Sequence, residues 1–168
     1  MQLPARHSGF TMIEMMISIA VLAVLTAIAI PALGTLFSRN QTKAAAVLFR
    51  DDLRQARYES RTQSGSSITF CAANSDKTTL GCDTASGFEY GWLWYLGGTL
   101  DSSSLLGESY SVNDNDVPVS VSANFSIELR KGNTLLSSPS PSITFGDASD
   151  RTSVITFDAT GRTHLEHY

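Results

Sequence analysis

Charge is nearly absent from one stretch of this 168-residue chain: between Phe10 and Ser38 the only charged residue is Glu14. Cysteine occurs twice, histidine is missing from position 8 to position 163, and there is a single long apolar run. Each shortage excludes something. One apolar run rules out a multi-span membrane protein, and two cysteines rule out a disulfide-dense small fold. Without a histidine in the body of the chain, a nucleophile motif or a phosphate loop, the sequence reads as no enzyme and calls for no cofactor. Two cysteines with no nearby histidine do not make a zinc site, so no metal is expected. The supply of Val, Ile, Phe and Leu excludes a disordered chain. About 130 residues follow the apolar run, enough to bury a modest core of their own.

The remaining charge is unevenly divided. Residues 38–61 hold six basic residues (Arg39, Lys43, Arg50, Arg54, Arg57, Arg61) against Asp51, Asp52 and Glu59. Residues 62–168 hold five basic against twelve acidic residues, a net of −7. So acidic a segment repels a polyanion over most of its surface, and any nucleic-acid contact has to be local.

Met15 to Phe37 carries no charge over 23 residues. At about 1.5 Å per residue it is long enough to cross a hydrocarbon core of roughly 30 Å. Pro31 and Gly34 interrupt it near its end and are the expected helix break, of a kind that membrane helices tolerate. A cleaved signal peptide is one alternative, since Thr26-Ala27-Ile28-Ala29 offers small residues. The run exceeds a signal peptide's usual apolar core, however, and neither that reading nor a plain one-span anchor explains Glu14. A carboxylate near the membrane interior costs several kcal/mol unless it finds a partner, roughly as an insertion scale would price it. Flanking charge does not fix the orientation, because Arg6 on one side faces Arg39 and Lys43 on the other.

Gly9-Phe10-Thr11-Met12-Ile13-Glu14, preceded by a short leader with Arg6 and His7, resembles the prepilin cleavage site of type IV pilins and type II secretion pseudopilins. The resemblance implies cleavage between Gly9 and Phe10 by a prepilin peptidase, with N-methylation of Phe10. It also implies an assembly role for Glu14, whose carboxylate pairs in that family with the terminal amine of a neighbouring subunit. That pairing supplies the partner the charge otherwise lacks.

Beyond Pro31 the pattern stays helical. Ala45, Leu48, Phe49, Leu53 and Ala56 form one apolar stripe, with Arg50, Arg54, Arg57 and Arg61 alongside or opposite it as a solvated face. Ser64-Gly65-Ser66-Ser67 marks the stop. A single helix from Phe10 to Arg61 spans roughly 78 Å. Strands follow: Ile68–Cys71, Phe88–Leu96 around Gly91, Ile143–Phe145 and Val154–Phe157. From Val117 to Leu129 every odd position is apolar, which predicts one long strand or two around a bend near Asn124. The segments 97–104, 111–116 and 137–142 read as loops. Phe88, Tyr90, Trp92, Trp94 and Tyr95 are expected to supply core plus one exposed face.

A helix followed only by strands, with Cys71 closing the first and Trp92-Leu93-Trp94-Tyr95 in the second, looks like the GspH/FimT group of minor pilins and pseudopilins. The fold expected is α+β, a long N-terminal transmembrane helix on an antiparallel β-sheet head. The divisions are a leader (1–9), a membrane or filament-core half-helix (10–37), an amphipathic half-helix (38–61) and a periplasmic head (62–168). The function implied is a minor subunit that helps initiate or cap a type IV pilus or type II secretion pseudopilus. Its partners are the inner membrane, the prepilin peptidase and other major and minor pilins or pseudopilins.

Cys71 and Cys82 enclose ten residues, and a disulfide there contributes roughly 3 kcal/mol by restricting the unfolded chain; two unpaired buried thiols are the alternative. His164 and His167 flank Glu166 at a terminus too loose to hold a metal. Asn113-Asp114-Asn115-Asp116 and the pair Asp147 and Asp150 lack calcium-loop spacing and read as turns. DNA capture is the runner-up function. The FimT branch active in natural transformation carries a C-terminal Gly-Arg-x-Arg motif, and Gly161-Arg162-Thr163-His164 is similar, with His164 where the second arginine stands. A single arginine holds a polyanion weakly, so an ordinary turn between strands is the preferred reading of Gly161-Arg162.

Overall fold

The computed structural model of the protein describes residues 10–63, 66–74, 80–83, 87–110, 112, 117–131, 133–147 and 152–168. Arg6, His7 and Gly9 of the leader, Ser64-Gly65, Asn113–Asp116 and Asp150 lie outside the described residues. The chain divides into two compact units between Phe37 and Ser38.

Thr11 caps the first helix, α1 (Met12–Thr62): its hydroxyl accepts the Glu14 backbone N–H at 3.3 Å. Thr11 and Glu14 thus stand at the two positions of a capping box, and Glu14 places negative charge at the positive end of the helix dipole. The helix runs through Pro31 and Gly34 without interruption, which corrects the expected break. Proline withholds one N–H and one hydrogen bond; the bonds on either side keep the element helical. Within Met12–Ile30, 19 residues of mean hydropathy 2.5, no side chain is buried.

The second unit is built around the other half of α1. Thr42, Ala45, Ala46, Phe49, Leu53, Ala56 and Ser60 are buried at three- and four-residue spacing. Leu48 is not on that face, being 37 % exposed. It precedes Phe49 by one residue, about 100° around the helix, and the large ring sets which face docks.

Among the described residues nine strands form two antiparallel sheets. The first holds β1 (Ile68–Ala72), β2 (Trp92–Leu96), β3 (Leu105–Ser109), β5 (Ile127–Arg130) and β6 (Asn133–Leu136), in the order β3-β2-β1-β5-β6. The second holds β4 (Val119–Val121), β7 (Ser142–Phe145), β8 (Ser153–Phe157) and β9 (Thr163–His167), in the order β4-β7-β8-β9. The alternating run therefore splits at 122–126, and its halves enter different sheets. Phe49 sits where helix and sheets meet. Its ring lies edge-on to Phe70 at 5.3 Å, Phe88 at 5.3 Å and Trp92 at 5.0 Å from the first-sheet side, and 5.9 Å from Phe145 of the second. One apolar cluster contains residues of α1 and both sheets.

The first sheet is covered on both faces along β1 and β2. Ile68, Phe70, Trp92 and Trp94 point to the α1 side, while Cys71, Leu93 and Tyr95 form a second cluster with Leu100, Leu105 and Tyr110. The aromatic segment thus has no exposed face at Trp92, Trp94 or Tyr95, contrary to expectation, because the chain after β2 folds back over it. Cys71 and Cys82 are disulfide-bonded, and Ala73 bridges to Cys82 beside the link. Two indoles fasten β2 to α1: Trp92 Nε1 donates to Asp52 Oδ2 at 2.7 Å, and Trp94 Nε1 donates to Glu59 Oε2 at 3.0 Å.

Candidate functional site

Two regions carry the residues that the sequence singles out. The first is the start of α1. Phe10 is 78 % exposed, Glu14 is exposed in the first turn, and the apolar side chains from Met12 to Ile30 are exposed around the whole helix circumference. A helix apolar all round and unburied among the described residues is built for an apolar surrounding, lipid or other helices.

The second region is a cleft of about 540 Å³ in the second unit. Its walls come from three places distant in sequence. The last turns of α1 give Arg57, Ser60 and Arg61; the β5–β6 hairpin gives Arg130, Asn133 and Thr134; the β8–β9 turn gives Thr160, Gly161 and Arg162. The turn is built by Asp158, whose Oδ1 accepts from Thr160 N at 2.8 Å, Thr160 Oγ1 at 2.6 Å and Arg162 N at 2.9 Å. Those bonds, the Thr160 hydroxyl first, hold the Asp158 carboxyl below its ordinary pKa. Gly161 takes φ +74°, and a Cβ there would meet Thr134 Cγ2 at 2.5 Å, so both backbone and space demand glycine. Arg57 donates from Nη2 to the Gly161 carbonyl, tying helix to turn.

The four arginines of the cleft are not equally spent. Arg130 pairs with Glu128 at 3.0 Å. Arg57 has its Nε shielded from solvent with no acceptor, and burial, then repulsion from Arg54 and Arg61, lowers its pKa. Among the described residues, neither Arg61 nor Arg162 has a carboxylate at ion-pair distance. Arg162 is exposed, as is His164, which pairs with Thr156 across β8–β9 and does not line the cleft. The residues joining Arg162 are therefore Arg57, Arg61 and Arg130, which sequence reasoning left on a solvated face or unassigned. Nothing in their spacing links them; the concentration of arginine in residues 38–61 of an otherwise acidic chain is the one signal that pointed there.

The chain termini behave differently from expectation at one end. His167 lies in β9 with its Nδ1 2.8 Å from Ser153 Oγ, so the C-terminal residues are paired in a sheet. Among the described residues there is no cluster of His, Cys, Asp and Glu fit to hold a metal.

A family model, the prokaryotic N-terminal methylation motif, matches residues 4–30. No curated protein and no solved structure matches the chain. The N-terminus thus carries the methylation motif of prepilin-type proteins, which implies processing by a prepilin peptidase and assembly with other pilin-type subunits. The motif, the exposed apolar helix and the disulfide are consistent with a membrane-anchored pilin-type protein, a structural subunit in kind.

Proposed function

We propose that the protein is a minor pilin or pseudopilin of the GspH/FimT kind, held in the inner membrane by α1 with its head in the periplasm, and that it helps initiate or cap a type IV pilus or type II secretion pseudopilus. The observation that carries this reading is the methylation motif leading directly into an apolar helix that is unburied among the described residues. Cleavage after Gly9 frees the Phe10 amine, and Glu14 pairs with that amine on a neighbouring helix as subunits leave the membrane. A carboxylate stranded in an apolar stretch gains most from a cationic partner there. The disulfide suits an oxidising compartment. A long helix followed by nine strands among the described residues, with Cys71 in β1 and two tryptophans in β2, supports the GspH/FimT assignment.

Glu14 also stands at the capping-box position, so the test has to separate cap from charge. Glu14→Gln keeps a side chain able to cap and removes the charge. The variant is expected to insert in the membrane at parental levels and to fall several-fold in purified filaments. Parental incorporation contradicts the pairing.

DNA capture at a filament tip is the second reading. It is favoured by the three arginines grouped with Arg162 and opposed by the acidity of the remaining surface.

A further inference from the structure

Residues 38–168 contain eleven Lys and Arg against fifteen Asp and Glu. Four of the eleven line one cleft, and Lys131 lines a neighbouring hollow with Arg130, Ser66 and Ser67. Without these five, six cations face fifteen acids. The cleft is therefore a local concentration of positive charge in a unit of net negative charge, and guanidinium groups converging from three chain segments are an arrangement that like-charge repulsion opposes unless anions join them.

Two carboxylates beside the cleft offset part of its charge and leave four guanidinium groups facing two acids. Glu128 is engaged by Arg130, and Asp158 is occupied with the backbone and hydroxyl donors of its own turn. Among the described residues the guanidinium groups of Arg61 and Arg162 have no carboxylate at ion-pair distance, and the Thr134 and Asn133 side chains add neutral donors on the facing wall. Arg57, through the Gly161 carbonyl, fixes where the turn presents Arg162.

The surround decides the size of the ligand. A long polyanion extends beyond the cleft over a unit whose acids outnumber its cations, whereas a compact group with its charges concentrated in a few oxygens engages the arginines alone. We propose that the cleft between the end of α1, the β5–β6 hairpin and the β8–β9 turn binds a compact, multiply charged oxyanion, a phosphomonoester or pyrophosphate group, through Arg61, Arg130 and Arg162, with Arg57 as a positioning residue. Planar guanidinium forks match phosphate oxygens two at a time, and several at once give specificity over a singly charged anion. The same chemistry is offered by a free phosphate compound and by a phosphomonoester lipid headgroup. The proposal does not depend on the protein's being a filament subunit.

The test is calorimetric titration of the full chain in neutral detergent micelles with inorganic pyrophosphate, at low and at physiological salt. One saturable site is expected, weakened about tenfold by Arg61→Gln and by Arg130→Gln, each removing one charge-assisted contact. Arg54→Gln, which removes an exposed arginine paired with Asp51 outside the cleft, is expected to leave the affinity unchanged. Repeating the titration in neutral vesicles with and without phosphatidic acid identifies the source: competition assigns the site to a headgroup, and undiminished affinity assigns it to a soluble phosphate. No saturable heat, equal affinity in the Arg61 and Arg130 variants, or tighter binding of a twelve-nucleotide single strand (about that length spans an OB-fold-sized site) than of pyrophosphate each overturns the proposal.

Discussion

Asp52 holds a carboxylate against the indole of Trp92, and the two influences on it oppose each other. Burial raises its pKa and outweighs the Trp92 hydrogen bond, which favours the ionised form; the neighbouring Asp51 charge adds to the rise. A carboxyl whose folded pKa lies above its unfolded value stabilises the fold while protonated, and that contribution is lost as pH rises through the folded value. At neutral pH Asp52 therefore carries a cost. Asp52→Asn keeps an oxygen to accept from Trp92 and removes the charge. Its thermal midpoint is expected to exceed the parent's at pH 7, with the difference closing at about pH 3, below the ordinary carboxylate range. Melts at the two pH values check this, and a variant less stable at pH 7 contradicts it. At this scale the sequence was legible where residue types are tied to their neighbours along the chain: the methylation motif within residues 4–30, and the Cys71–Cys82 link across a short loop. It was not legible at Arg57, Arg61 and Arg130, which meet Arg162 only because α1, a hairpin and a turn converge.

Among the elements, α1 depends on one ring. Phe49 contacts Phe70, Phe88, Trp92, Phe145 and Phe157, and so joins the helix to both sheets. Phe49→Ala opens a cavity at that junction and is expected to cost about 3–5 kcal/mol, measured by denaturant unfolding; a loss under about 1 kcal/mol would show that the sheets close over the gap. Strands with strong alternation or dense β-formers were readable, as at Ile68–Ala72 and Ser153–Phe157. Three strands were not. β3 contains Gly107, needed because a Cβ there would lie 2.1 Å from the Trp94 ring. β6 opens on Asn133-Thr134, and β9 is Thr-His-Leu-Glu-His. All three are sheet edges, where one neighbour suffices and apolar residues are not demanded on either face. The alternation from Val117 to Leu129 marked the buried side correctly at Val119, Phe125, Ile127 and Leu129, but period two says nothing about which strand pairs with which.

For the molecule as a whole, the two units pose opposite problems to water. Met12–Ile30 exposes apolar surface that is not buried among the described residues, while the second unit closes around an aromatic core, carries net negative charge and gathers four arginines in a cleft. A chain of this kind is stable only if the first segment leaves water, and the methylation motif ahead of it specifies how. The central claim is therefore about the N-terminus. Intact-mass and N-terminal peptide mass spectrometry of the protein recovered from membranes of cells with a functioning prepilin peptidase should find a chain that begins at Phe10 and carries one methyl group there. A mature chain beginning near Pro31, or an uncleaved Met1 terminus in the presence of the peptidase, would contradict it.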